Sequence, residues 1–263
     1  MLKIIKLCSS KMSKGLLIVS AKTLHEVTNG QYPPSCEDGF LVILQQGPTC
    51  GLVAILMAFY NSCRHPIPIP IPTNFAAVDA DVGFLLSLAK ASGDSDRGEI
   101  FDPDLMVSLI RRFGGRWRRR VEAFWRPWMQ PSDLFLDSPG VMALIAYDKG
   151  NDNYPVVRDG SNSHWCLVPY TTSDMVLAFH GLSRLALWTE KSRLFSSNRA
   201  LAVRRGFWDC NGGFATRQTG LVSASYPIAR EGSGPNKLAG SIVFIKMGDE
   251  EDDDDDPGDD GAD

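Results

Sequence analysis

A cysteine at the point where a rigid turn becomes a helix is the feature of this 263-residue chain best suited to chemistry. The run Gln45-Gln46-Gly47-Pro48-Thr49-Cys50-Gly51 supplies a turn at Gly47 and Pro48 and leaves room beside the backbone at Gly51. Residues 52–60 are almost all apolar, too uniformly for a surface helix, so they predict a central, buried one. A thiol in the first turn of such a helix meets unpaired N–H groups and the positive end of the helix dipole, both of which favour the thiolate. Acyl transfer by a thiol needs that thiolate. A glutamine just upstream, Gln45 or Gln46, can set its amide beside the Cys50 N–H as an oxyanion hole. The competing reading is a small apolar residue packed at the end of a core helix.

A cysteine nucleophile needs a base, and the chain has four histidines: His25, His65, His164 and His180. His164 lies in Ser161-Asn162-Ser163-His164-Trp165-Cys166-Leu167-Val168, a polar turn opening into an apolar strand. A histidine at a strand mouth with an aromatic neighbour is placed to face a cleft, which makes it the leading base.

These residues carry a resemblance to the actin maturation proteases, papain-like cysteine aminopeptidases that trim the acetylated N-terminal residue from immature actin. Residues 45–58 resemble that family's nucleophile motif, and His164-Trp165 its His-Trp element. Between them, Arg97-Gly98-Glu99-Ile100-Phe101 resembles its Gly-Glu-(Met/Ile)-Phe segment and Leu144-Ile145-Ala146-Tyr147-Asp148 its central strand. His180-Gly181-Leu182-Ser183-Arg184, Trp188 and Ser197-Asn198 follow in the family's order, so the likeness runs over residues 40–205 and more faintly to 246. His164 follows Cys50 by 114 residues, near the separation of about 130–150 in papain-like enzymes. The resemblance implies Cys50 as nucleophile, His164 as base and Gln45, rather than Gln46, as oxyanion donor. It also implies actin as substrate, with or without a partner protein that presents it.

Departures from the family pattern fall in the histidine strand, which contains Cys166 and Pro169. No motif selects the third catalytic member, the acid or amide that orients the imidazole. His180, Asp174 and Asn198 remain candidates.

Formal charge is unevenly spread. Residues 249–263 hold 11 of the 31 acidic residues, so the remainder carries about +7. Such a tail has nothing to bury and is expected to be disordered, either as a solubilising end or as a mimic of an acidic substrate lying in a basic groove. Seven arginines fall within residues 111–126 among Phe113, Trp117, Phe124 and Trp125. Alternation around residues 117–123 favours a strand with one wet face. Steering of an acidic peptide comes second, with Arg118, Arg120 and Trp165 as substrate-binding candidates. RNA binding is a distant third and nucleic acid is not expected, since no RNA-binding module motif is visible.

The elements that must position the cysteine and histidine form an α+β order, helices first and strands later. Residues 66–72 alternate Pro and Ile and must be extended. Asn74 opens an amphipathic helix reaching about residue 92, and Asp102-Pro103 opens another that stops at Gly114-Gly115. Strands are expected at 141–147, 164–170, 175–180 and 241–247, forming a barrel-like antiparallel half opposite the helical half, and residues 206–219 as loops. A papain-like cysteine peptidase fold is therefore expected over residues 31–247, with a partly disordered segment at 1–30 and the acidic tail at 248–263. Six scattered cysteines show neither a C-x-x-C pair nor zinc spacing, so metals, cofactors and disulfides are not expected. Neither a membrane span nor a secretory segment is read, and a cytoplasmic monomer is expected. Two other functions fit the same residues. One is a different papain-like thiol hydrolase, deubiquitinating or peptide-processing. The other is a non-catalytic module that binds acidic proteins.

Overall fold

The computed structural model describes residues 16–28, 40–62, 75–93, 95, 97–117, 119–136, 138, 140–158, 160, 162–183, 186–203, 206–208, 214–216 and 238–248. Along the chain they form β1 (Leu16–Val19), α1 (Ala21–Thr28), β2 (Phe40–Ile43), α2 (Cys50–Ser62), α3 (Phe75–Ala91) and α4 (Pro103–Arg116). There follow β3 (Val121–Pro127), β4 (Val141–Asp148), β5 (Ser163–Thr171), β6 (Met175–Phe179), β7 (Leu187–Glu190) and α5 (Lys191–Arg199). The short strands β8 (Gly206–Trp208) and β9 (Phe214–Thr216) precede β10 (Ser241–Met247).

Six strands make one antiparallel sheet in the order β3-β10-β4-β5-β6-β7. The α+β class with an antiparallel sheet is thus as expected, but the sheet is open and not barrel-like: β3 and β7 are separate edges. β4 is buried along nearly its whole length because both of its faces are covered. Leu144 and Ala146 pack in the core that holds α2, while Ile145 and Tyr147 pack in a second core with Leu194 of α5. Sequence reading missed α5 and the edge strand β7; each is short, and neither has enough turns or repeats to impose a period.

Every residue of α2 from Gly51 to Tyr60 is buried, as its unbroken apolar run requires. α2 lies on the sheet rather than across a gap from it, so helices and strands share one core. Asp102 caps α4 by accepting from the Asp104 N–H at 2.7 Å, and Pro103 occupies the first turn, where its missing donor costs nothing. The helix continues past Gly114-Gly115 to Arg116. Asp81 of α3 joins three helices, accepting from Tyr60 Oη at 2.5 Å and lying 3.3 Å from the Arg116 guanidinium. The Pro-Ile run, Asn74 and the acidic tail lie outside the described residues. Within residues 206–219, the described part contains β8 and β9, a small hairpin where loops were expected.

Candidate active site

The turn before α2 is held by its own hydrogen bonds. Gly47 adopts φ +67°, the Thr49 hydroxyl donates to the Gln46 oxygen at 3.0 Å, and the Val53 N–H reaches the Thr49 oxygen at 2.9 Å. Cys50 is therefore the first residue of α2 and only half-buried. Gly98, at φ +110°, brings the loop before α4 over this turn; a Cβ there would stand 3.1 Å from Thr49 Cγ2 and 3.4 Å from the Pro48 oxygen. Gly51 lets the helix end approach Ile100 and Trp165, whose side chains come within 2.8 and 3.2 Å of where its Cβ would be.

His164 and Trp165 open β5, where Tyr147 pairs with His164 and Ala146 with Trp165. The Trp165 backbone N–H acts on the Cys50 thiol, and the Trp165 ring packs against Gly51, so the cysteine meets β5 at the residue after the histidine. Among the described residues no hydrogen bond joins the thiol to the imidazole itself. His164 Nε2 lies 2.6 Å from the main-chain oxygen of His180. A carbonyl only accepts, so Nε2 carries the proton and Nδ1 the lone pair.

Burial pushes the Cys50 thiol up from its ordinary value, against the N–H groups of Trp165, Gly51 and Cys50 itself; the nearby Glu99 charge adds to the rise. Burial also lowers His164 to about 3 and His180 to about 4, with the Lys149 ammonium contributing to both. Burial thus favours the neutral form of both the thiol and the imidazole. The helix end alone suggested a thiolate, but desolvation outweighs the helix-end N–H groups here.

The remaining candidates are placed as follows. Gln45 donates its backbone N–H to the Gly181 oxygen at 2.8 Å and Nε2 to the Gly47 oxygen at 3.1 Å, while its Oε1 is buried without a partner. Nε2 carries two protons, so one remains beyond the Gly47 bond. The His180 ring nitrogens are engaged elsewhere than at His164: Nδ1 accepts from the Leu182 N–H at 3.2 Å, and Nε2 lies 3.3 Å from Ser183 Oγ. His180 meets His164 twice, through its main-chain oxygen and through a T-shaped ring contact with centroids 6.1 Å apart. The Asn198 amide is spent on other groups, donating to the Ala146 and Leu238 oxygens at 2.8 and 3.1 Å and accepting from the Gly240 N–H at 2.8 Å. Asp174 is exposed in the turn after β5, seven or more residues along from His164, so about 20 Å away. Neither it nor Asn198 is brought to the imidazole.

Trp165 is 4% exposed and its indole donates to the Ile100 oxygen at 2.8 Å, so it offers Cys50 its backbone rather than an open ring. Arg118 lies outside the described residues. Arg120 precedes β3 at the opposite end of the sheet, where its oxygen accepts from the Gly248 N–H beside the Val121–Met247 pair. Its separation from His164 exceeds about 20 Å, beyond the roughly 8 Å screening length at physiological salt.

Sequence reasoning missed Lys149. Continuing the β4–β5 register one pair beyond Asp148 and Ser163 would have found it. Among the described residues no three His, Cys, Asp or Glu side chains gather as a metal site, and no helix is long and apolar enough to cross a membrane.

The fold and site define an α+β domain that sets a cysteine at a helix end against a histidine-bearing strand. Residues 40–170, from β2 into β5, match the family described as actin maturation protease-like, C-terminal domain. That segment belongs to this family, and it contains Gln45, Cys50, Lys149 and His164. An actin maturation protease of Xenopus tropicalis is 25% identical over 139 residues, covering 52% of this chain and 39% of the relative. One of Drosophila melanogaster is 29% identical over 153 residues, covering 56% of this chain and 50% of the relative. The matches span half or less of these relatives' own lengths.

Proposed function

We propose that this protein is a papain-like cysteine aminopeptidase that removes the acetylated N-terminal residue from immature actin. The observation that carries the reading is the meeting of Cys50 with the His164-Trp165 backbone, together with a His164 whose Nε2–H is held by the His180 oxygen. Kinship with actin maturation proteases supports the substrate.

In this mechanism His164 Nδ1 takes the thiol proton as Cys50 Sγ attacks the first peptide carbonyl carbon. Because thiol and imidazole start neutral, proton transfer accompanies attack. Backbone N–H groups at the start of α2 and the remaining Gln45 amide proton hold the oxyanion. The C–N bond breaks, and His164 gives its proton to the leaving actin amine. Water then attacks the thioester, His164 taking its proton, and the acetylated amino acid leaves with the thiol restored. The same reading takes residues 31–247 as the peptidase domain and places the protein in the cytosol, where thiols stay reduced.

A module that binds acidic proteins without catalysis is the second reading, favoured by the burial that keeps Cys50 protonated. Mass spectrometry of an acetylated actin-like peptide and of unprocessed actin, each with wild type and Cys50→Ala, separates the two. Loss of one acetylated residue with wild type alone is expected. No cleavage of either substrate, with Cys50 inert to a thiol-directed probe in the folded protein, would establish the second reading instead.

A further inference from the structure

The start of β3 and the end of β10 meet at one corner of the sheet. Val121 pairs with Met247 there, the Gly248 N–H donates to the Arg120 oxygen at 2.9 Å, and a Cβ on Gly248 would stand 3.6 Å from Arg120 Cδ. The last turn of α4 reaches the same corner, since the Arg119 N–H donates to the Gly114 oxygen at 3.1 Å. Basic side chains gather on it. Arg120 is exposed and Arg119 half-buried, while Arg112 and Arg116 stand four residues apart on one exposed face of α4. Two described carboxylates adjoin them. Asp81 lies 3.3 Å from the Arg116 guanidinium, and Glu122 stands opposite Lys246 in the β3–β10 register, so positive charge predominates.

The chain that leaves Gly248 carries the opposite charge. Residues 249–256 are Asp-Glu-Glu followed by five Asp, and residues 249–263 contain 11 acids and neither Lys nor Arg. We propose that this acidic segment docks back on the arginine corner made by α4, the turn before β3 and the end of β10, and acts there as an intramolecular shield. Its point of departure and its charge carry the inference. Gly248 sets the first acid beside Arg120, and eight extended residues span up to about 28 Å. The step along α4 from Arg116 to Arg112 is only about 6 Å, so the acids reach all of these side chains with slack. Contacts at such range fall within the roughly 8 Å screening length at physiological salt. Tethering raises the effective concentration of the segment to the millimolar range, so individually weak charge contacts are enough to hold it. Any other polyanion has to displace it to reach the arginines.

The test follows, by fluorescence anisotropy at low salt, a labelled peptide with the sequence of residues 249–263. Its partners are the wild-type full chain and a full chain neutralised by Asp249→Asn, Glu250→Gln, Glu251→Gln and Asp→Asn at residues 252–256. The neutralised chain should bind the peptide, and wild type should bind it about tenfold or more less tightly, because its own segment competes from its tether. Adding Arg112→Glu and Arg120→Glu to the neutralised chain should weaken binding by at least about tenfold, as reversed charges now repel the acids. Arg112→Lys with Arg120→Lys should keep it, which separates loss of charge from loss of fold. No binding to the neutralised chain, as a purely solubilising end would give, overturns the proposal. So does equal affinity of the wild-type and neutralised chains, or binding that survives the change to Glu, as a segment lying at Cys50 would give.

Discussion

His164 Nε2 lies 2.6 Å from the main-chain oxygen of His180, while the nitrogens of the His180 ring are taken up by Leu182 and Ser183. The group that orients the imidazole is thus a backbone carbonyl, whose place depends on β6 and not on the side chain at position 180. His180→Gln should keep kcat/KM within about tenfold, whereas His164→Gln should lose roughly 100- to 10,000-fold, the range for removing a general base. Equal losses in the two variants would instead make the His180 ring the third catalytic member.

Asn198 holds Ala146, Leu238 and Gly240 together with a buried amide. Asn198→Ala should cost about 2–4 kcal/mol, because the backbone groups it leaves behind are buried. Equilibrium denaturation should register that loss. A fall in kcat of the folded variant as deep as that of His164→Gln, without loss of stability, would contradict a structural role.

Gly51 is where α2 comes closest to the loop and to β5. A Cβ there would meet Ile100 Cδ1 at 2.8 Å and Trp165 Cδ1 at 3.2 Å, and Trp165 is tied to Ile100 by its indole hydrogen bond. Gly51→Ala should therefore destabilise the fold by about 1–3 kcal/mol through overpacking. It should also lower kcat more than it raises KM, by moving Cys50 from the Trp165 N–H. Unaltered stability and kcat would mean that the helix end has slack.

Stability should fall on acidification through the two buried histidines. Unfolded, each takes up a proton near pH 6.5; folded, His164 resists to about 3 and His180 to about 4. The unfolded state therefore binds more protons in this window, and their contribution is full above pH 6.5 and lost as pH falls towards 4 and then 3. The slope approaches about 1.4 kcal/mol per pH unit for each histidine. Urea unfolding between pH 7 and pH 4.5 should show it, with a flatter profile in His164→Gln. Identical slopes in the two proteins would mean that His164 is accessible to protons in the fold.

Arg120 stands too far from the site to act at physiological salt. Arg120→Glu should leave kcat/KM within about twofold at 0.15 M salt. A larger loss there would require the peptide to extend along β3.

The local elements were legible where one residue pattern dominates. The apolar run 52–60 reads as a buried helix, Asp102-Pro103 as the opening of another, and the segments 141–147 and 164–170 as strands, which the structure extends to 141–148 and 163–171. Cys50 and His164 stood out for the same reason, since a turn before a helix and a polar mouth before a strand are properties of neighbouring residues. Tertiary structure decided what depends on residues distant in the chain. Insertion of β10 between β3 and β4 made the sheet open and carried Arg120 away from His164. The β4–β5 register brought Lys149 to the histidine face, and the desolvation that comes with packing α2 on β5 disfavours the thiolate expected at a helix end. Register, desolvation and the choice of a carbonyl as hydrogen-bond partner are relations between segments, and no local run of residues encodes them.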